Sequence, residues 1–143
     1  MADKTPDLTG QSFARCLVRV QEALSVRGIQ IDQGRIVTSR DADMAGLREA
    51  LMVPNLPEGF HKWQVPVSHD GPTHLFITVA DPGATVPNHA HNDGANARFI
   101  ASGSITFQGK ELTAGDWMFI PAGAEYSFTV GPYGAMMLGS YQC

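Results

Sequence analysis

The sequence predicts a mainly β domain, a sandwich or barrel of short strands, with a helical segment in front of it. Three observations carry this. Strand-like runs separated by turn residues follow one another from Phe60 to Tyr141. Helical periodicity is confined to the region before Asn55. Glycine (15 residues) and proline (9 residues) are abundant enough to supply many tight turns.

The elements follow in order. Phe13, Leu17, Val20 and Leu24 recur at spacings of four, three and four, which predicts one helix with these residues on its apolar face. Thr9 or Ser12 can cap its start, and Gly28 lies just past its end. Ile29 to Thr38 alternates and predicts a strand. Asp41 to Met52 predicts a second helix with Met44, Leu47 and Leu51 on one face, stopped by Pro54 and Pro57. Strands are then expected at His61–Val67, His74–Ala80, Thr85–His91, Arg98–Phe107, Trp117–Ile120, Tyr126–Val130 and Ala135–Tyr141. Turn residues separate them, among them His69-Asp70-Gly71-Pro72, Gln108-Gly109 and Gly131-Pro132. Phe99, Phe107, Phe128 and Tyr133 are expected in the core.

Composition bounds the function. A chain of 143 residues fits one domain, and 43% hydrophobic with 17% charged residues is an ordinary globular balance. Ten basic and fourteen acidic side chains give a net charge of −4 with no basic stripe, which argues against nucleic-acid binding. No apolar run approaches the roughly 20 residues of a membrane-spanning helix. Met1 to Gly10 lacks the basic start and apolar stretch of a secretory signal, so a cytoplasmic location is expected. Cys16 is expected to pack on the first helix and Cys143 to be a free thiol; two cysteines make no disulfide framework. No phosphate-cradling loop precedes a helix, and no Gly-x-Ser-x-Gly elbow is present.

The sharpest local feature is Asn88-His89-Ala90-His91-Asn92. On a strand, residues two apart point to one face, so His89 and His91 converge while Ala90 faces away. Two such imidazoles are either a metal half-site for zinc, iron, nickel or copper, or a pair of surface histidines beside a loop.

The residues around the pair carry a further pattern. Gly83 is followed after five residues by His89-Ala90-His91, then by Asn96 and, six residues on, Gly103. Gly115 is followed after five residues by Pro121-Ala122-Gly123, then by Tyr126 and Val130. Over residues 60–143 this resembles the cupin superfamily, whose motifs read G-x5-H-x-H-x3/4-E-x6-G and G-x5-P-x-G-x2-H-x3-N. The glycines, the proline, both histidines and all spacings agree. Asn96 replaces the usual Glu, Tyr126 the usual His, and Val130 the final Asn.

The resemblance implies a cupin double-stranded β-helix (jelly-roll barrel) with a helical N-terminal extension: one domain over 1–143, with 1–57 helical and 58–143 the barrel. It implies a divalent transition metal (iron, zinc or nickel) on His89, His91, Tyr126 and Asn96. Asn96 offers only a neutral carbonyl oxygen, and Tyr126 would need the cation to ionise near neutrality. Tyr126 and Glu125 are the expected catalytic proton carriers, although Glu125 faces away on a regular strand unless the turn after Gly123 rotates it inward. Asp93 is a second spare carboxylate. Arg98 shares the face of Asn96 and can pair with an anionic substrate. Trp117 and Phe119 share a face and are expected to contact substrate; His61, His69 and His74 are weaker candidates. The expected function is a metal-binding enzyme of oxygenase, isomerase, lyase or cyclase type acting on a small organic molecule. The alternative is a non-catalytic ligand-binding or sensing barrel. A homodimer is expected, since the family often pairs its barrels.

Overall fold

The computed structural model describes residues 13–31, 34–67 and 71–142. The expected caps Thr9 and Ser12, the turn histidine His69 and the thiol of Cys143 lie outside the described residues. The chain divides into two compact units, Met1–Gln30 with Asp43–Pro66, and Ile31–Ala42 with Val67–Cys143.

The first unit is built on helix α1 (Phe13–Val26). Its C-terminal end closes as the sequence predicts. Gly28 adopts φ 65°, its N–H reaches Ser25 O at 3.0 Å, and the Ile29 N–H reaches Leu24 O at 3.0 Å. This is a Schellman closure, which needs a left-handed residue and so favours glycine. The inward face is rotated from the predicted stripe. Ala23 is buried while Leu17 is 68% exposed. The cause is Arg19, whose guanidinium donates to Ala50 O (3.1 Å) and Met52 O (2.9 Å). That fixes the Cys16, Arg19, Val20, Ala23 row as the inner one, at helical spacing. The predicted second helix is broken in two. A 3-10 turn at Ala42–Met44 and a short α2 (Leu47–Ala50) flank Gly46, which sits at φ 80° and interrupts the helix. His61–Val67 forms no strand. A single bridge joins Met52 to Trp63, and the Arg48 guanidinium stacks 3.7 Å from the Trp63 ring centre.

The second unit is antiparallel sheet. Its strands are β1 (Val37–Thr38), β2 (Thr73–Ala80), β3 (Thr85–His89), β4 (Asn96–Phe107), β5 (Lys110–Thr113), β6 (Trp117–Ile120) and β7 (Tyr126–Gln142). The order is β1-β6-β4-β7-β2, with β3 on β7 and β5 on β4. Among the described residues of the predicted Ile29–Thr38 strand, only β1 is strand. The Gln108-Gly109 turn is real: φ of 47° and 76° close a two-residue hairpin onto β5, which the sequence did not single out. Gly131-Pro132 is not a turn between strands. β7 runs through it, and the register slips there, between Ile105↔Val130 and Gly103↔Ala135. Proline is tolerated because no ladder bond is asked of it at such an irregularity.

Cross-strand partners share a face, so the register sorts the side chains. Ile100, Ile105, Phe107, Leu112, Met118, Ile120, Tyr126, Phe128, Val130, Ala135 and Met137 form one buried cluster. The alternate residues of β4 and β6 pair as Ala97↔Phe119 and Phe99↔Trp117, on the other face. Tyr133, expected in the core, is 91% exposed.

Asp41 ties β1 to β5. Its carboxylate accepts from Thr38 N (3.1 Å), Thr38 Oγ1 (2.8 Å) and Lys110 Nζ (2.6 Å). Burial pushes its pKa up, but the bonds from Lys110 and Thr38 prevail and hold it below the ordinary 3.8. Its contribution to stability is therefore complete above that value and lost as pH falls through the lower folded pKa. Asp41→Asn is expected to cost about 1–3 kcal/mol at neutral pH. Urea melts should show the gap to wild type narrowing below about pH 4; a constant gap down to strong acid would contradict the assignment.

Candidate functional site

The site begins at the β3–β7 pairing. His89 lies opposite Tyr126, after a register shift that follows Val86. The two rings are 4.4 Å apart between centroids. His91 lies just past β3, where its carbonyl accepts from the Gly123 N–H at 2.8 Å. Gly123 takes φ 78°, so the turn that follows Pro121 holds the second histidine in place. The imidazoles of His89 and His91 stand 5.0 Å apart, nearly perpendicular.

The environment sets their protonation. His89 Nδ1 lies 2.8 Å from Pro87 O. A carbonyl only accepts, so Nδ1 carries a proton and Nε2 is the ring nitrogen left to meet a ligand. His91 is held below its ordinary pKa by burial, then by the charges of His89 and Arg98; Asp93, exposed in the following loop, acts the other way. Tyr126 is 2% exposed, and burial pushes its phenol above the usual value against the opposing pull of Arg98. Both settings leave neutral donors.

Asn96 and Arg98 share this face, since they pair with Tyr141 and Gly139 on β7 and with Ile120 and Met118 on β6. Arg98 is 6% exposed. It donates to Tyr141 Oη (3.0 Å) and Tyr126 Oη (3.5 Å) and touches Met137 Sδ (3.8 Å). Asn96 is 1% exposed, and among the described residues neither its Oδ1 nor its Nδ2 has a hydrogen-bond partner, nor has Arg98 Nε. No contact joins Asn96 to the histidines among the described residues.

Other expected members stand elsewhere. Glu125 is exposed and accepts from Asn88 Nδ2 at 3.1 Å. Asn88 and Glu125 alternate with His89 and Tyr126, so this pair points away from the cluster and Glu125 is no proton carrier for it. Trp117 and Phe119 are buried but on the opposite face, with Phe99 and Ala97, so they do not contact a ligand beside His89. Ala97 and Phe99 line a groove of about 420 Å³ on that face, together with Thr73, Leu75, Leu138 and Ser140 among others. His74 is exposed, opposite Tyr141 on the site's own face; His61 is exposed in the helical unit.

Tyr141 is the member that sequence reasoning missed. Its ring is 5.5 Å from His91 and 5.3 Å, edge-on, from Phe76. The only signal for it was alternation on the last strand; the pairing with Asn96 across 45 positions (141 − 96) is a matter of register.

The donors at this face suit a divalent metal only in part. No group of three His, Cys, Asp or Glu is gathered among the described residues. The histidine pair itself fits. Burial favours the neutral form of His91, His89 Nδ1 is tied to a backbone carbonyl, and a ring N–H so held is how metal-binding histidines are commonly oriented. Zinc, nickel and iron accept such nitrogens.

No family model and no curated protein matches the chain. Solved structures do. An RmlC-like cupin from Shewanella frigidimarina NCIMB 400 is 25% identical over 48% of this chain and 64% of its own, with a TM-score of 0.43. The polyketide cyclase RemF from Streptomyces resistomycificus is 26% identical over 50% of this chain and 54% of its own, with a TM-score of 0.44. The complex of Rhodobacter sphaeroides SigE with the anti-sigma ChrR is 12% identical over 97% of this chain and 61% of that chain, with a TM-score of 0.46. The chain thus spans about half to two-thirds of the length of these matched chains. No helix among the described residues is long and apolar enough to cross a membrane.

Proposed function

We propose, for a chain of cupin fold, that it binds a divalent transition metal on His89 and His91 and takes a small organic molecule at the same face of the sheet. The observation that carries this is the histidine pair. Two imidazoles stand 5.0 Å apart, one oriented by Pro87 O, with the Tyr126 ring beside them. Such a metal would supply Lewis acidity and open positions for a ligand, because the described residues offer few further donors there. Tyr126 holds its proton at neutral pH and is placed to donate a hydrogen bond to that ligand. Arg98 keeps Tyr126 and Tyr141 oriented through their hydroxyl oxygens.

A second reading, a metal-free ligand-binding barrel, is favoured by one observation: the guanidinium of Arg98 lies 3.5 Å from the Tyr126 hydroxyl, where a third donor to a cation would stand. Elemental analysis by plasma mass spectrometry separates the two. Wild type is expected to hold one transition metal per chain, and His89→Ala/His91→Ala none. Absence of metal from wild type after reconstitution with zinc, nickel and iron in turn would leave the metal-free barrel.

A further inference from the structure

Arg98 is a buried charge that has no counter-ion among the described residues. Among the described residues its polar partners are two phenol oxygens and a thioether, and the Phe128 ring lies 5.3 Å from its guanidinium carbon. No carboxylate of the described residues pairs with it. An ionised group withdrawn from water is strongly unfavourable unless it is paired as well as hydrogen-bonded. Buried water can satisfy the neutral orphans of this face, Asn96 Oδ1 and Nδ2, but it does not neutralise a guanidinium.

The donors around Arg98 are also turned one way. Tyr126 and Tyr141 each accept from the guanidinium, so each keeps its own O–H proton to give. Arg98 Nε–H and Asn96 Nδ2 have no acceptor among the described residues. This is an array of donors around a fixed positive charge, the arrangement that stabilises an oxyanion. Beside it stands an aromatic wall, with His91 and Phe76 against the Tyr141 ring. Phe76 is 55% exposed, so that wall reaches solvent.

We infer that Arg98, Asn96, Tyr126 and Tyr141 form an anion subsite, and that the ligand is a small aromatic or apolar organic acid. Its carboxylate meets Arg98, and its apolar body lies along Tyr141 and Phe76. This rests on the proposed ligand face and not on the metal.

The probes are benzoate and benzamide, which share size and shape and differ in charge. Each is titrated calorimetrically into the full chain at neutral pH, metal-stripped and zinc-loaded. Benzoate is expected to bind at least tenfold more tightly than benzamide in both forms. Arg98→Met, which keeps the apolar volume, is expected to weaken benzoate at least thirtyfold and to abolish its preference over benzamide. Arg98→Lys keeps the charge without the planar fork and is expected to fall between, which keeps the test decisive if Arg98→Met does not fold. Equal binding of the two probes, wild-type benzoate affinity in Arg98→Met or Arg98→Lys, or no benzoate binding in either form would overturn the inference. Benzoate binding by a chain that takes up no metal would sink the metal reading alone. Metal uptake with equal probe binding would sink the anion subsite alone.

Discussion

Gly103→Ala is expected to destabilise the sheet unit by about 2–6 kcal/mol, a large part of the usual stability of a domain. Two costs add. Gly103 sits at φ 70°, where a side chain is strained by about 1–3 kcal/mol. A Cβ there would also overlap the Gly134 carbonyl oxygen and lie 2.7 Å from its carbon and 2.9 Å from the Ala135 Cα. All three atoms are backbone, so no side chain can swing aside. The strain cannot be relieved locally, because the close approach is where the β4–β7 register slips. Gly83→Ala is the control. Gly83 has φ 74° with nothing within 4 Å of the added carbon, so only the conformational cost of about 1–2 kcal/mol applies. Urea denaturation of the two variants should separate them clearly; equal losses would contradict the close-packing account.

Ile105→Ala is expected to cost about 2–5 kcal/mol, or roughly 10 °C in Tm. Ile105 is fully buried. It faces Leu112 across β5 and Val130 across β7, so three strands close on one side chain. Those backbones are held by ladder bonds and cannot collapse into the space. The cavity therefore persists and adds to the lost transfer energy. A loss under about 1 kcal/mol by calorimetry would mean that the strands repack.

Much of this was legible because it is local. Gly28 ends α1 by a bond pattern spanning six residues, and Gln108-Gly109 closes its hairpin by its own backbone angles. The motif spacing around His89 and Pro121 is local too, and its physical content is now plain: Gly123 carries the N–H that holds His91, and Gly103 permits β7 to approach β4. What failed depends on register and on which face is inward. All four residues of β6 are buried, so alternation separates Trp117 and Phe119 from Met118 and Ile120 without saying which pair shares the face of Arg98. β7 hid as two strands because Gly131-Pro132 has the composition of a turn. Tyr141 joined the site through its pairing with Asn96. The stripe on α1 misled because a long polar side chain, Arg19, supplies carbonyl bonds that a hydrophobic pattern does not register.

The central claim is that His89 and His91 share one metal ion. It is tested most directly by a crystal of zinc-soaked protein, with anomalous scattering recorded on both sides of the zinc edge. The account predicts a single strong peak at about 2.0–2.1 Å from His89 Nε2 and from a ring nitrogen of His91. No peak between the two rings at full zinc loading, or a peak at other side chains only, would contradict it.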